Sequence, residues 1–383
     1  MSTYVDIHII QNLPPSCVNR DDSGSPKSAV YGGVRRLRVS SQSWKRATRL
    51  YFNDLLDAKD VGVRTKRVVE VLAERITEDA PELAGDAVTL AEGVFKAARI
   101  KLSPPRGKKD APQESGYLLF LSTSQIARLA ELAIASARDG ETLDAKTVKK
   151  IFKEAHAVDI ALFGRMVADD TDLNVDAACQ VAHAISTHAA ENEYDFFTAV
   201  DDDKSRSEEE DAGAGMMGTV EFSSATMYRY ATVNLDMLVE NLGDGDAALR
   251  ALEVFIKGFC LSMPTGKQNT FANRTLPEAV VVSVRDDQPV SLVGAFEKPI
   301  RTNEADGYLA RSAEALAEHA RAIEDNYGLK PLASFVVALK GGDILVPEGP
   351  DAPAPLGERV SFADLPDRVR EAVAPRVGRE ERA

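Results

Sequence analysis

The chain has 383 residues, 44% hydrophobic and 28% charged, which suits a globular protein with one large or two modest cores and excludes a disordered chain. Its net charge of −14 excludes wholesale coating of nucleic acid, because most of the surface repels phosphates; any nucleic-acid site must be local. Three cysteines, Cys17, Cys179 and Cys260, contain no CxxC pair and support neither a disulfide framework nor a zinc ribbon.

Tyr4 to Ile10 alternates Val5, Ile7 and Ile9 against Asp6 and His8, the period of a strand with one buried face. Pro14 and Pro15 are expected to end it, and the polar stretch from Asn19 to Lys27 reads as a loop. A short strand over Val34 to Ser40 sets Arg36, Arg38 and Ser40 on one face and Leu37 and Val39 on the other. Ser40 or Ser41 is expected to cap a helix in which Trp44, Ala47 or Thr48, Tyr51 and Leu55 recur at helical spacing, with Lys45, Arg46 and Arg49 beside that stripe. From Arg20 to Arg49 there are eight Lys or Arg against two Asp, a concentrated cationic strip in an acidic protein. Such a strip suits phosphate binding; a solvated charged face is the plain alternative.

Residues 60 to about 190 read as a mainly helical insertion, with Ala-rich segments at 124–138, 143–168 and 175–190 and a Pro/Gly/Lys loop at 103–116. Residues 195–218 carry neither period and read as a mobile excursion. Strand pattern returns at 224–235 and 279–284, with an amphipathic helix over about 246–263 between them, which suits an α+β sheet with helices on one face. A helix near 307–327, an apolar run at 334–339 and a charged, Pro-interrupted C-terminus expected to fray complete the chain. There is no positively charged leader before an apolar run, and no window long enough to span a bilayer, so the expected setting is cytoplasmic, with no membrane partner.

The run Pro15 to Asp22, then Tyr31-Gly32-Gly33 and Arg38 to Ser43, closely resembles the CasC family, the repeated backbone subunit of Cascade, the guide-RNA surveillance complex of type I-E CRISPR-Cas systems. The likeness continues in order at Val158 to Met166, Ala182 to His188, Asp195 to Asp202, Glu221 to Ser224, Tyr228 to Ala231 and Gly294 to Lys298, covering about residues 4 to 330. It implies an α+β fold: an RRM-like (ferredoxin-like) palm from residues 1–59 and 224–383, a large helical fingers insertion over 60–190, and a protruding thumb loop over 191–223. It also implies a non-catalytic scaffold. Neighbouring copies would stack head to tail along one CRISPR RNA beside other Cascade subunits and present the guide to target DNA.

Holding a guide without reading it requires contacts to its backbone, since the bases must stay free to pair. Arg20, Lys27, Arg38, Ser40, Gln42, Lys45, Arg46 and Arg49 supply cations and hydrogen-bonding groups for that purpose, with Arg35 and Arg36 as weaker candidates. The resemblance adds Arg165 and Met166, and Met217 in a glycine-rich stretch; residues at the two methionine positions interrupt guide stacking in the family. A flexible apolar side chain suits that task. Met216 is an alternative to Met217, and a core position at a helix end is the alternative for Met166. Lys267 and Gln268 are further guide-contact candidates; the phosphate-loop pattern is absent there, because Leu261 lies five before Gly266 and Gln268 follows Lys267. Lys146, Lys149, Lys150 and Lys153 share one face of an amphipathic helix, which the resemblance turns toward DNA and which by itself reads as a surface helix.

An enzyme is the competing class. His183 and His188, five apart, do not share a helical face, and no third ligand stands at a familiar spacing, so neither metal nor cofactor is expected. Asp21 and Asp22 are the reservation, because related backbone subunits of RNA-targeting CRISPR complexes cleave bound RNA with a loop aspartate. The acidic cluster at 201–211 reads as a solvated loop rather than a Mg²⁺ site. A generic single-strand binder is disfavoured, since aromatics are 6% and do not interleave with the strip.

Overall fold

A computed structural model describes residues 2–57, 60–107, 111–199, 216–302, 307–350 and 352–377. The chain opens with β1 (Tyr4–Ser16), the hairpin β2 (Ser28–Tyr31) and β3 (Val34–Val39), and helix α1 (Ser41–Phe52). A second lobe follows: β4 (Gly62–Thr65), α2 (Val68–Asp79), α3 (Ala87–Ala97), β5 (Leu102–Ser103), β6 (Glu114–Ser115), β7 (Leu119–Ser122), α4 (Thr123–Asp139), α5 (Ala145–Lys153) and α6 (Val158–Phe163). The chain returns through β8 (Cys179–Val181), β9 (Ala184–Ser186), β10 (Glu193–Ala199), β11 (Met216–Asn234), α7 (Leu235–Leu242), α8 (Gly245–Leu261) and α9 (Gln268–Phe271). It ends with β12 (Ala279–Arg285), α10 (Tyr308–Tyr327), β13 (Ala333–Ala338), β14 (Glu358–Arg359) and α11 (Leu365–Val373).

The main sheet runs β14-β13-β12-β1-β11-β9-β3-β2, with β8 and β10 also paired to β11, and only β13 and β14 are parallel. Within it, β1, α1, β8, β11, α8 and β12 follow one another as strand, helix, two strands, helix, strand, in the spatial order β12-β1-β11-β8. β1 is therefore central. Val5, Ile7 and Ile9 pack with Phe52 of α1, Phe255 and Phe259 of α8 and Leu365 of α11. Gly258 lets α8 close on α1, since a Cβ there would lie 3.0 Å from the Phe52 ring. The opposite face packs Ile10, Tyr228 and Val281 against Leu316 of α10.

Helices thus cover both faces, not one as the pattern suggested. Asp6 and His8 are buried too, which a strand's alternation cannot reveal when its polar side chains are satisfied inside. Asp6 accepts from Tyr230 Oη at 2.9 Å and the Val290 N–H at 2.9 Å and pairs with Arg285 at 3.1 Å. His8 Nδ1 meets Tyr228 Oη at 2.9 Å, and burial, then the Arg285 charge, holds the imidazole down at about 3.

Three further expectations are corrected. β1 continues through Pro14 and Pro15 to Ser16, absorbing them in a register shift after Leu13. Residues 179–186 are two strands rather than a helix: Cys179, Ala184 and Ile185 are buried by pairing with β11 and β3, and that burial overrides their Ala-rich composition. The C-terminal segment docks, with Leu365, Val369 and Val373 of α11 fully buried in the main core. The second lobe has its own core, running from Val68 to Leu173 and including Leu72, Phe95, Leu129 and Phe152. Among the described residues no helix is long and apolar enough to cross a membrane. The expected excursion is a two-stranded ribbon at its base, β10 with Met216 to Phe222; residues 200–215, and with them the acidic cluster, lie outside the described residues.

Candidate nucleic-acid interface

The cationic strip is stitched together by one asparagine. The Asn19 carbonyl accepts the Lys27 N–H at 2.9 Å, its Oδ1 accepts the Ser40 N–H at 2.8 Å, and the Lys27 carbonyl accepts the Arg38 N–H at 2.9 Å. Loop, strand end and helix start become one surface. Asp21 shapes the loop tip: its Oδ1 accepts from the Ser23 N–H at 3.0 Å, Ser23 Oγ at 2.7 Å and the Ser25 N–H at 3.0 Å. These hydrogen bonds, Ser23 Oγ foremost, hold its carboxyl below the usual range. Asp21 is thus a loop-shaping residue in this structure.

α1 begins with no acidic residue in its first turn, so its positive dipole end adds to the cations around it. Arg20, Gln42 and Arg46 are exposed; Lys27, Arg38, Lys45 and Arg49 are half-buried. Arg38 donates to His183 Nδ1 at 3.1 Å. The His183 imidazole is held below its ordinary value by burial, then by Arg38 and Lys27. Lys45 lies 5.7 Å over the Phe163 ring and Arg49 5.2 Å over Phe120, so their stems fill the seam toward the second lobe. Burial pushes the Arg49 guanidinium down while nearby Asp159 opposes it; Asp159 is itself raised to about 6 by burial, with Arg49 pulling the other way.

Tertiary structure brings Lys267 to this surface. Gly266 packs on the Cys17 and Val18 backbone, where a Cβ would sit 2.4 Å from the Val18 carbonyl oxygen. Burial raises the Cys17 thiol, and both Arg20 and Lys267 are close enough to oppose that. Gln268, next in the chain, is exposed. Met166 is 79% exposed and is not a core residue. Met217 and Met216 are also exposed, but adjacent strand positions point to opposite faces: Met217, paired with Thr198, shares its face with Phe196 and Tyr194, and Met216 lies on the other.

Three candidates are corrected. Ser40 is 4% exposed, with its Oγ capping α1 at the Ser43 N–H, so its hydroxyl is spent internally. Arg165 is likewise 4% exposed; it donates to the carbonyls of Leu173 at 2.9 Å, Phe120 at 3.4 Å and Phe152 at 2.6 Å. Its guanidinium ties the second lobe together. Lys149 is ion-paired with Asp170, with Asp172 at 3.9 Å. Lys146 and Lys153 remain exposed, and Lys150 makes only a surface pair with Glu154 at 3.8 Å. The weaker candidate Arg36 is fully buried, donating to the carbonyls of Tyr31, Ser186, Phe296 and Glu297. Sequence reasoning missed Arg64, an exposed β4 residue near Arg49; the dense run Arg64, Lys66, Arg67 was the available signal. It also missed the linking role of Asn19.

The family model described as CT1975-like protein matches residues 5–347. Among solved structures, a chain of a "CRISPR RNA-guided surveillance complex, pre-nicking" is 38% identical with a TM-score of 0.83, covering 96% of this chain and 99% of that one. A chain of a "CRISPR RNA-guided surveillance complex" is 31% identical with a TM-score of 0.72, over the same shares. Among curated proteins no match is found.

Proposed function

From the premise that the chain belongs to the CT1975-like family, we infer that it is a CRISPR-RNA-binding scaffold subunit of a Cascade-type surveillance complex. The observation that carries this is the end-to-end likeness, at 38% identity, to a surveillance-complex chain, in a molecule whose 20–49 cations are joined into one surface by the Asn19, Lys27 and Arg38 backbone links. In finer terms it is the type I-E CasC backbone subunit. The β12-β1-β11-β8 sheet with α1 and α8 is an RRM-like palm, residues 60–173, the part of the expected 60–190 insertion that precedes β8, are the fingers, and the β10/β11 ribbon is the base of the thumb.

Arg20, Lys27, Arg38, Gln42, Lys45, Arg46, Arg49, Lys267 and Gln268 hold the guide by its backbone, and Arg64 extends the strip. Met166 and Met217 interrupt its stacking. Copies polymerise along the RNA beside other Cascade subunits in the cytoplasm, and Lys146, Lys150 and Lys153 meet target DNA. The subunit does not cut. The test is the nucleic acid that copurifies when the protein is made with its neighbouring genes and a CRISPR array. One RNA of defined length, intact in Mg²⁺, supports the scaffold. Heterogeneous RNA that shortens in Mg²⁺, and is spared by Asp21→Ala with Asp22→Ala, makes the protein a nuclease.

A further inference from the structure

Beside the strip, α1 and the segment 262–274 enclose a cleft of about 640 Å³, lined by Arg46, Tyr51 and Asp54 on one side and Gln268, Asn269 and Asn273 on the other. Asn273 is only 2% exposed, and its Nδ2 has no hydrogen-bond partner. A buried amide donor in that state is unfavourable, and the cost is removed when an acceptor enters. The wall carrying it is held in shape against local preference: α9 is bracketed by Lys267 at φ 52° and Ala272 at φ 47°, both non-glycine residues in the left-handed region. Gly266, pressed on the Cys17 and Val18 carbonyls, anchors that wall to the strip.

We propose that this cleft is a nucleobase pocket, taking one unstacked base of the bound RNA with Asn273 donating to an acceptor on its edge. Every base carries at least one such acceptor, so the pocket tolerates any sequence, as a guide scaffold requires. The volume lies within the range of small-ligand sites. Tyr51 supplies a ring for stacking, and Asp54, Gln268 and Asn269 supply further polar groups. Arg46 and Arg274 stand on opposite walls, which favours a strand bearing phosphate over an acidic side chain alone. Arg46 also belongs to the strip, so a strand held there is already at the mouth. The proposal rests on the RNA-binding reading.

The test uses the full chain with RNA carrying single 4-thiouridines at successive positions, crosslinked by light and mapped by peptide mass spectrometry. Crosslinks are expected within 262–274 or on α1 near Tyr51. They should fall about fivefold or more in Asn273→Asp, which replaces the donor with an acceptor. Asn269→Trp, at an exposed position, should fill the cleft with the same result and covers the case in which Asn273→Asp does not fold. RNA retention at low salt should persist in both variants through the strip. Normal RNA binding with crosslinks only elsewhere, indifferent to both substitutions, overturns the pocket and leaves the scaffold reading intact. Protein–protein crosslinks from 262–274 to a second copy, with no nucleotide there, overturn it in favour of a subunit contact. Absence of RNA binding altogether removes the scaffold reading itself.

Discussion

Arginine serves the α1 face and the interior behind it in opposite ways. On the face, Arg20 and Arg46 are exposed and form no ion pair among the described residues. Behind it, Arg36, Arg165 and Arg229 are each at most 4% exposed, and their hydrogen bonds go to backbone carbonyls or side-chain amides rather than carboxylates. Arg229 also stacks 3.7 Å over Trp44, directly behind α1. A planar guanidinium with five donors can gather carbonyls from several segments at once, so a buried arginine acts as a clamp. The exposed ones remain available to phosphates. The difference teaches that a cationic cluster in a sequence mixes two kinds of residue that only burial separates.

The contrast breaks most readily at a clamp. Arg165→Met leaves several carbonyls of the second lobe unpaired and is expected to cost about 3 kcal/mol or more, read from urea unfolding; a loss below about 1 kcal/mol would erase the distinction. Gly32→Ala, at φ 60° with its Cβ 1.6 Å from the Glu297 carbonyl oxygen, should displace the partner loop of Arg36 and cost about 2 kcal/mol or more. Gly33→Ala, at φ 77° in open space, should cost about 1 kcal/mol, and equal melting shifts for the two would show that the close approach does not matter.

The interior should also answer to pH. His8, held at about 3 against an unfolded value near 6.5, is neutral in the fold, so its contribution is present above 6.5 and is lost as pH falls toward 3. Between pH 6.5 and 5 this amounts to about 2 kcal/mol. Asp159, raised to about 6, works in the opposite sense and regains part of the loss on acidification. Asp159→Asn should therefore steepen the decline in urea midpoints, and a parallel profile would count against the assignment. The smallest stability effect, about 0.5 kcal/mol or less, is expected on the face for Arg20→Ala with Arg46→Ala. That pair, like Lys45→Ala with Arg49→Ala, should weaken RNA retention for every sequence, with the salt slope reduced by about 0.7 per lost contact. Losses confined to particular RNA sequences would sink the backbone-contact reading.

Much of the framework was legible. β1, β3, β11, β12, β13 and helices α1, α4, α8 and α10 carry alternation or helical spacing strong enough to survive folding. The strip was legible because eight cations in so short a stretch stand out against an acidic background. The strands at 179–186 were not, since a short Ala-rich segment belongs to whichever element covers it, and here β11 does. Ser40 and Ser41 were both readable as caps, and backbone geometry selected Ser40, which removed its hydroxyl from the surface.

By itself, the sequence determined the periods of the main strands and helices, the location of the positive charge and the family resemblance, because these depend on residue order and spacing along the chain. Tertiary structure alone decided that helices cover both faces of the sheet, that Arg36 and Arg165 point inward, that Lys149 is paired, and that Lys267 joins a strip far away in sequence. The physical reason is common to all four. Burial and hydrogen-bond satisfaction depend on neighbours separated by tens to hundreds of residues, and no local pattern encodes which of those neighbours will arrive.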